Sequence, residues 1–173
     1  MFKKSVLSLL LPVLFLPQLV FSASREVSKA KYVFVMFGDG MGDNLVRLTE
    51  YYLSKKYGKD TTLLFSRFPN VALTNTYSAS SRITCSSAAG TALFCGQKAL
   101  ADHIGMNAKE EAIESVGTKL KREGYKLGVC TTNGIDHATP ASIYAHVKRR
   151  RDFFNICTQL AKSDIDFAAG SGF

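Results

Sequence analysis

The stretch that most constrains the fold runs from Ile83 to Lys98 and reads Ile-Thr-Cys-Ser-Ser-Ala-Ala-Gly-Thr-Ala-Leu-Phe-Cys-Gly-Gln-Lys. A hydroxyl-rich turn passes into a run of small residues, a composition suited to the junction of a strand end and a helix start where a ligand must approach the backbone closely. The first amides of a helix lack partners within it and lie at the positive end of its dipole, so an anion beside Ser86 and Ser87 would meet donors already in place. Small residues also serve close helix packing, and this stretch alone does not separate the two uses.

Two further stretches do. Tyr32 to Gly42 reads Tyr-Val-Phe-Val-Met-Phe-Gly-Asp-Gly-Met-Gly, an apolar run that delivers the carboxylate of Asp39 into a glycine-rich loop. A continuous apolar run such as Val33 to Phe37 predicts a strand covered on both faces in a parallel sheet, and the C-terminal ends of such strands are where α/β folds bind ligands. Hard divalent cations favour oxygen donors of this kind. An Asp can also simply stabilise a turn through its own backbone. Ile135 to Arg150 reads Ile-Asp-His-Ala-Thr-Pro-Ala-Ser-Ile-Tyr-Ala-His-Val-Lys-Arg-Arg. Pro140 suits the first turn of a helix, with Thr139 as the expected cap and His146 and Arg150 one turn apart on a shared face. Lys148, Arg149 and Arg151 read as a solvated basic run.

The other elements follow from periodicity and turn chemistry. Leu45, Leu48, Tyr52 and Leu53 recur at helical spacing behind Asp43 and Asn44, with Gly58 as the stop. Val71 to Tyr77 reads as a strand, Glu110 to Glu123 as an amphipathic helix closed by Gly124, and Tyr125 to Thr131 as the next strand. Gly96 is the expected stop of the helix through Thr91, Ala92 and Leu93, and Ala99 to Ala108 is expected as a loop over the site. Arg151 to Lys162 predicts another helix and Ile165 to Ala169 a last short strand. This alternation predicts an α/β fold with a mostly parallel central sheet flanked by helices.

At the N-terminus, Lys3 and Lys4 precede an apolar segment from Val6 to Phe21, and Ser22, Ala23 and Ser24 follow. That layout predicts a secretory signal over residues 1–23, ahead of a domain over 24–173, and hence a secreted or periplasmic location. Pro12 and Pro17 interrupt the segment and its charges precede it, which argues against a permanent membrane span. In an oxidising compartment the four cysteines, Cys85, Cys95, Cys130 and Cys157, allow up to two disulfides in three pairings, with buried free thiols the other option. No Cys-x-x-Cys spacing points to a thiolate zinc site. The net charge of +8 favours anionic substrates. No aromatic stacking pattern accompanies the basic run, which argues against a specific nucleic-acid partner.

Together and in this order, the three stretches make the chain resemble the N-terminal part of an alkaline phosphatase, from about Lys31 to Phe173. The resemblance implies a metal-dependent hydrolase of phosphate monoesters acting through a phosphoserine, with Zn2+ and Mg2+ as cofactors and small phosphate esters as substrates. Oligomeric state stays open, a homodimer being one option. Carried over residue by residue, it implies Ser86 as nucleophile and Arg150 as the arginine that grips two phosphate oxygens, with Ser87 an ordinary neighbour. Asp39 matches a carboxylate bridging a zinc and the magnesium, Thr139 a magnesium ligand, and His137 a position held by Asp or His. The chain departs from the common pattern in having Cys85 where an Asp precedes the serine. The remaining zinc ligands are expected beyond Phe173, so the sheet is expected to be incomplete at the C-terminus. Two other expectations compete: an inactive fragment without enzymatic role, and a sulfatase-like hydrolase in which Cys85 is a formylglycine precursor. Ser87 suits that last pattern and Ala89 does not.

Overall fold

The computed structural model describes residues 30–171. The expected signal segment lies outside them. The chain divides between Met36 and Phe37 into two compact units. Of the first, residues 30–36 carry no regular secondary structure, and Val33, Phe34, Val35 and Met36 are exposed. The strand expected over Val33 to Phe37 is therefore not formed. An apolar run reports a preference for burial, whereas a strand also needs a ladder partner, and none is present among the described residues. The same correction applies to Val71 to Tyr77, which has no regular structure and exposes Val71, Leu73 and Tyr77.

The second unit is an α/β arrangement. Helix α1 spans Asp43–Tyr57, with Gly42 rather than Asp43 or Asn44 at its N-cap and Gly58 ending it in the left-handed conformation at φ 64°. A 3-10 turn covers Leu64–Arg67. Helix α2 spans Ser86–Cys95 and stops at Gly96, φ 72°. Helix α3, Val116–Arg122, is shorter than the expected Glu110 to Glu123. The side chain of Asn107 accepts the amides of Lys109 and Glu111, and Glu110 is left-handed, so the chain turns before a helix can start. The helix begins only where Ser115 Oγ accepts the Thr118 amide at 3.1 Å. Strand β1, Gly128–Gly134, is followed by the short α4, Ala138–Ala141, then α5, Phe153–Ala161, and strand β2, Phe167–Ser171.

Strands β1 and β2 pair in parallel, with Gly128, Val129 and Cys130 opposite Phe167, Ala168 and Ala169, and an irregularity before Gly134 meets Ser171. Asp166 anchors this edge. Its carboxylate accepts from Lys121 Nζ at 2.6 Å, Lys126 Nζ at 3.0 Å and the Leu127 amide at 2.8 Å, and these donors hold it well below the usual carboxylate range. The core gathers Val129 from β1, Ile135, Ala138 and Ala141 from the β1–α4 turn and α4, Ile143, Tyr144, Ala145 and Val147 beyond it, Ile104 from the long loop and Ile156 from α5. None of the described helices is long and apolar enough to cross a membrane.

Helix α2 lies against α4, and the contact explains its small residues. A Cβ added at Gly90 would fall 2.5 Å from Ser142 Oγ, which is buried and donates to the Ala138 carbonyl at 2.7 Å. That hydroxyl cannot move without losing its bond, so Gly90→Ala is expected to cost about 1–3 kcal/mol. Thermal denaturation would show it as a lowered midpoint, and an unchanged midpoint would mean that the two helices do not pack as described.

Candidate active site

The loop after Phe37 is a tight turn in which the Met41 amide donates to the Gly38 carbonyl at 3.1 Å and Gly40 takes the left-handed conformation at φ 69°. It presents Asp39 to two other segments. Ser86, the first residue of α2, donates its hydroxyl to Asp39 Oδ1 at 3.1 Å, and Thr139 in α4 donates to Asp39 Oδ2 at 2.7 Å. One carboxylate thus accepts a different hydroxyl on each oxygen. The arrangement sits beyond the C-terminal end of β1, the edge at which parallel sheets bind ligands.

Thr139 is not the cap of α4. His137 occupies that position without a side-chain capping bond, and Pro140 stands in the first turn, where its missing amide is no loss. The threonine hydroxyl is thereby free for Asp39. The ring of His137 stacks on Phe153, centroids 6.1 Å apart, and makes no hydrogen bond to Asp39 or Thr139.

Arg150 is presented differently from the expectation. The helix that would place His146 and Arg150 on one face ends at Ala141. Past it, Val147 exchanges backbone hydrogen bonds with Ile104 at 2.9 and 3.0 Å, and that antiparallel bridge holds the chain extended. His146 turns away, its Nδ1 2.7 Å from the Gly105 carbonyl, while its backbone amide and carbonyl are clasped by the Gln159 side chain. Arg150 instead lines a groove of about 930 Å3 with Asp102, His103, His137 and Phe153. The expected loop over the site is present as the segment carrying Asp102 and His103, and it is buttressed where the Gly105 amide donates to Thr91 Oγ1 at 2.9 Å.

Cys85 ties the loop carrying Asp102 to the start of α2. Its Sγ lies 3.0 Å from Ser87 Oγ and accepts the Asp102 amide at 3.4 Å. Burial pushes the thiol up, but hydrogen bonds from Ser87 and the amides of Asp102 and Ala88, with the charge of Arg150, together hold it below its ordinary value. Cys95 behaves oppositely, burial raising it to about 11. Because the thiolate is the reactive form, iodoacetamide at pH 8 is expected to label Cys85 well before Cys95, and the gap should narrow as pH rises towards 11. Peptide mapping after timed quenching measures both, and equal rates at pH 8 would contradict the hydrogen-bond network around Cys85. All four cysteines are free.

Asp39 and Thr139 supply two hard oxygen donors side by side, which fits part of the shell of a magnesium ion. Zinc is a different case. Among the described residues no group of three or more His, Cys, Asp or Glu side chains gathers where a metal could be held, so the residues present do not make a zinc site. Ser86, Asp39 and Thr139 are brought together directly by hydrogen bonds, whereas Arg150 makes no side-chain hydrogen bond to them among the described residues and acts only through its charge on Cys85, the residue before Ser86. The signal for these contacts was present in the glycine-flanked Asp39 and the hydroxyl before Pro140; Cys85 stood out as a departure from the family pattern, but its bonds to Ser87 and the Asp102 amide had no sequence signal.

The family model for alkaline phosphatase matches residues 30–165. Alkaline phosphatase 4 of Drosophila melanogaster is 35% identical over 133 residues, which cover 70% of this chain and 22% of that protein. The tissue-nonspecific isozyme of alkaline phosphatase from Homo sapiens is 33% identical over 139 residues, 73% of this chain and 26% of that one. The chain therefore spans about a quarter of the length of these relatives. Among solved structures, the alkaline phosphatase of the Antarctic bacterium TAB5 superposes with a TM-score of 0.67 at 35% identity, covering 78% of this chain and 37% of that chain. A cold-active enzyme from a psychrophilic Shewanella sp. gives 0.71 at 29% identity, covering 76% and 34%. These structures share the α/β fold with its parallel sheet flanked by helices, and with the match to the family model over most of its length the chain belongs to the alkaline phosphatase family.

Proposed function

We propose that the protein hydrolyses phosphate monoesters through a phosphoserine at Ser86, and that this chain supplies the nucleophile, the phosphate-gripping arginine and the oxygen donors for a divalent cation. The observation that carries the reading is the Asp39 carboxylate held between the hydroxyls of Ser86 and Thr139. Asp39 orients the serine hydroxyl and draws its proton towards Oδ1, which favours attack by Oγ. The Oγ–P bond forms as the ester P–O bond breaks, and the alcohol departs with a proton. Water then cleaves the phosphoserine and returns the hydroxyl. Arg150, planar and always charged, is suited to hold two phosphoryl oxygens during both steps. A Mg2+ ion at the Asp39 and Thr139 oxygens would supply positive charge near the phosphoryl group. Among the described residues no His, Cys, Asp or Glu cluster makes a zinc site. The N-terminal charge, hydrophobe and small-residue pattern supports export of the protein.

Trapping tests the reading. Acid quenching of the full-length protein during turnover, followed by peptide mass spectrometry, is expected to find phosphate on the peptide carrying Ser86 and at that residue. Turnover without a phosphorylated Ser86, under conditions that preserve phosphoserine, would rule out the covalent route.

A further inference from the structure

Four consecutive cationic side chains, Lys148, Arg149, Arg150 and Arg151, line one groove together with His137 and Ala138, the residues that precede Thr139. Their charges are not equally compensated. Glu110 accepts from Lys148 Nζ at 2.5 Å and lies 3.2 Å from His103 Nε2, so that carboxylate is occupied by the lysine and the histidine. Among the described residues Arg149, Arg150 and Arg151 make no salt bridge, and the carboxylate lining the groove is that of Asp102. Three arginines therefore line this groove with one acid, and Arg149 also lines a neighbouring hollow with Asp152.

The backbone that presents them is fixed. The Ile104–Val147 bridge holds it on one side, Gln159 clasps His146, and the Asp152 amide donates to the Arg149 carbonyl at 3.0 Å, closing a turn. A freely solvated basic run would spread its charges into water. Here like charges are gathered along a concave surface, where their repulsion is relieved by a bound anion and the field is focused on whatever enters. One bidentate guanidinium satisfies one phosphoryl group, which leaves two arginines beyond what a simple monoester uses.

We infer that Arg149 and Arg151 form a second anion subsite beside Arg150, selecting phosphate esters whose leaving group carries a further phosphoryl group. The inference rests on the reading given under Proposed function and names the substrate class for that site. In the full-length protein, fructose 1,6-bisphosphate and fructose 6-phosphate form a matched pair differing in one phosphoryl group. The double variant Arg149→Gln with Arg151→Gln is expected to raise KM for the bisphosphate about tenfold while leaving KM for the monophosphate within about twofold and kcat for both unchanged, since charge-assisted contacts to the second group alone are lost. Equal changes for both substrates, or none for either, overturn the subsite. Lys55→Gln with Lys56→Gln on α1 removes the same charge outside the groove, and an equal loss in that control also overturns it. Calorimetric titration with inorganic pyrophosphate and inorganic phosphate requires no turnover. Weakened pyrophosphate binding confined to the arginine variant supports the subsite even where a catalytically silent wild type defeats the hydrolytic reading, and unchanged binding overturns it.

Discussion

Replacing Ser86 by alanine in the full-length protein is expected to lower phosphate-ester turnover by about four to six orders of magnitude, the loss typical when a covalent nucleophile is removed. The fold should survive. Ser86 opens α2, its side chain is half-buried, and its hydroxyl bonds only to Asp39. Asp39 keeps its bond to Thr139, and alanine is well suited to a helix, so the stability change should stay within about 1 kcal/mol. Ser87→Ala provides the contrast. That serine is fully buried and bonds to Cys85, so its loss should lower the melting temperature yet spare most of the turnover. Steady-state hydrolysis of p-nitrophenyl phosphate and thermal melts on both variants give the comparison. A Ser86 variant that turns over like the parent would remove this residue from the chemistry.

Asp39→Asn should have the next largest effect, a fall in kcat of about 100- to 1,000-fold, comparable to removing one preorganised polar group from an active site. The carboxylate accepts a hydrogen bond on each oxygen, from Ser86 and from Thr139. An amide has a single acceptor oxygen, so one hydroxyl must lose its partner or face an N–H group that competes with its own proton. The negative charge that would attract a hard cation disappears as well. Thr139→Val removes only one of the two contacts and should be milder. Measuring kcat across a Mg2+ titration separates the effects: a variant rescued fully by excess Mg2+ has lost only cation affinity, whereas a persistent deficit reports the misplaced serine. Wild-type kcat in Asp39→Asn would reduce the side chain to a turn stabiliser.

The contact among Asp39, Ser86 and Thr139 was more legible in the sequence than the elements that carry it. Gly38 and Gly40 around Asp39, and the passage from hydroxyls to small residues at Ser86, are local rules of backbone geometry, and they hold because they do not depend on distant partners. The extent of an element does depend on partners. Val33 to Phe37 and Val71 to Tyr77 carry the right composition for strands, but among the described residues only β1 and β2 pair as a sheet. The helix drawn through His146 and Arg150 fails because Ile104, more than 40 residues away in sequence, captures the Val147 backbone. Periodicity along a chain cannot report such a competitor. Ser115, the true start of α3, was readable as a capping residue and was obscured by the charges ahead of it, which suggest a helix that Asn107 and Glu110 instead fold into a turn.

The two hydrogen bonds on Asp39 span 47 and 100 residues. Contacts of such long sequence separation gain nothing until the intervening chain has already been ordered, and the entropy of bringing their ends together must be met first. On refolding, helical signal should therefore return before the Asp39 contacts form, and a lesion that merely slows assembly of the scaffold would present as fewer completed molecules, each with those contacts intact.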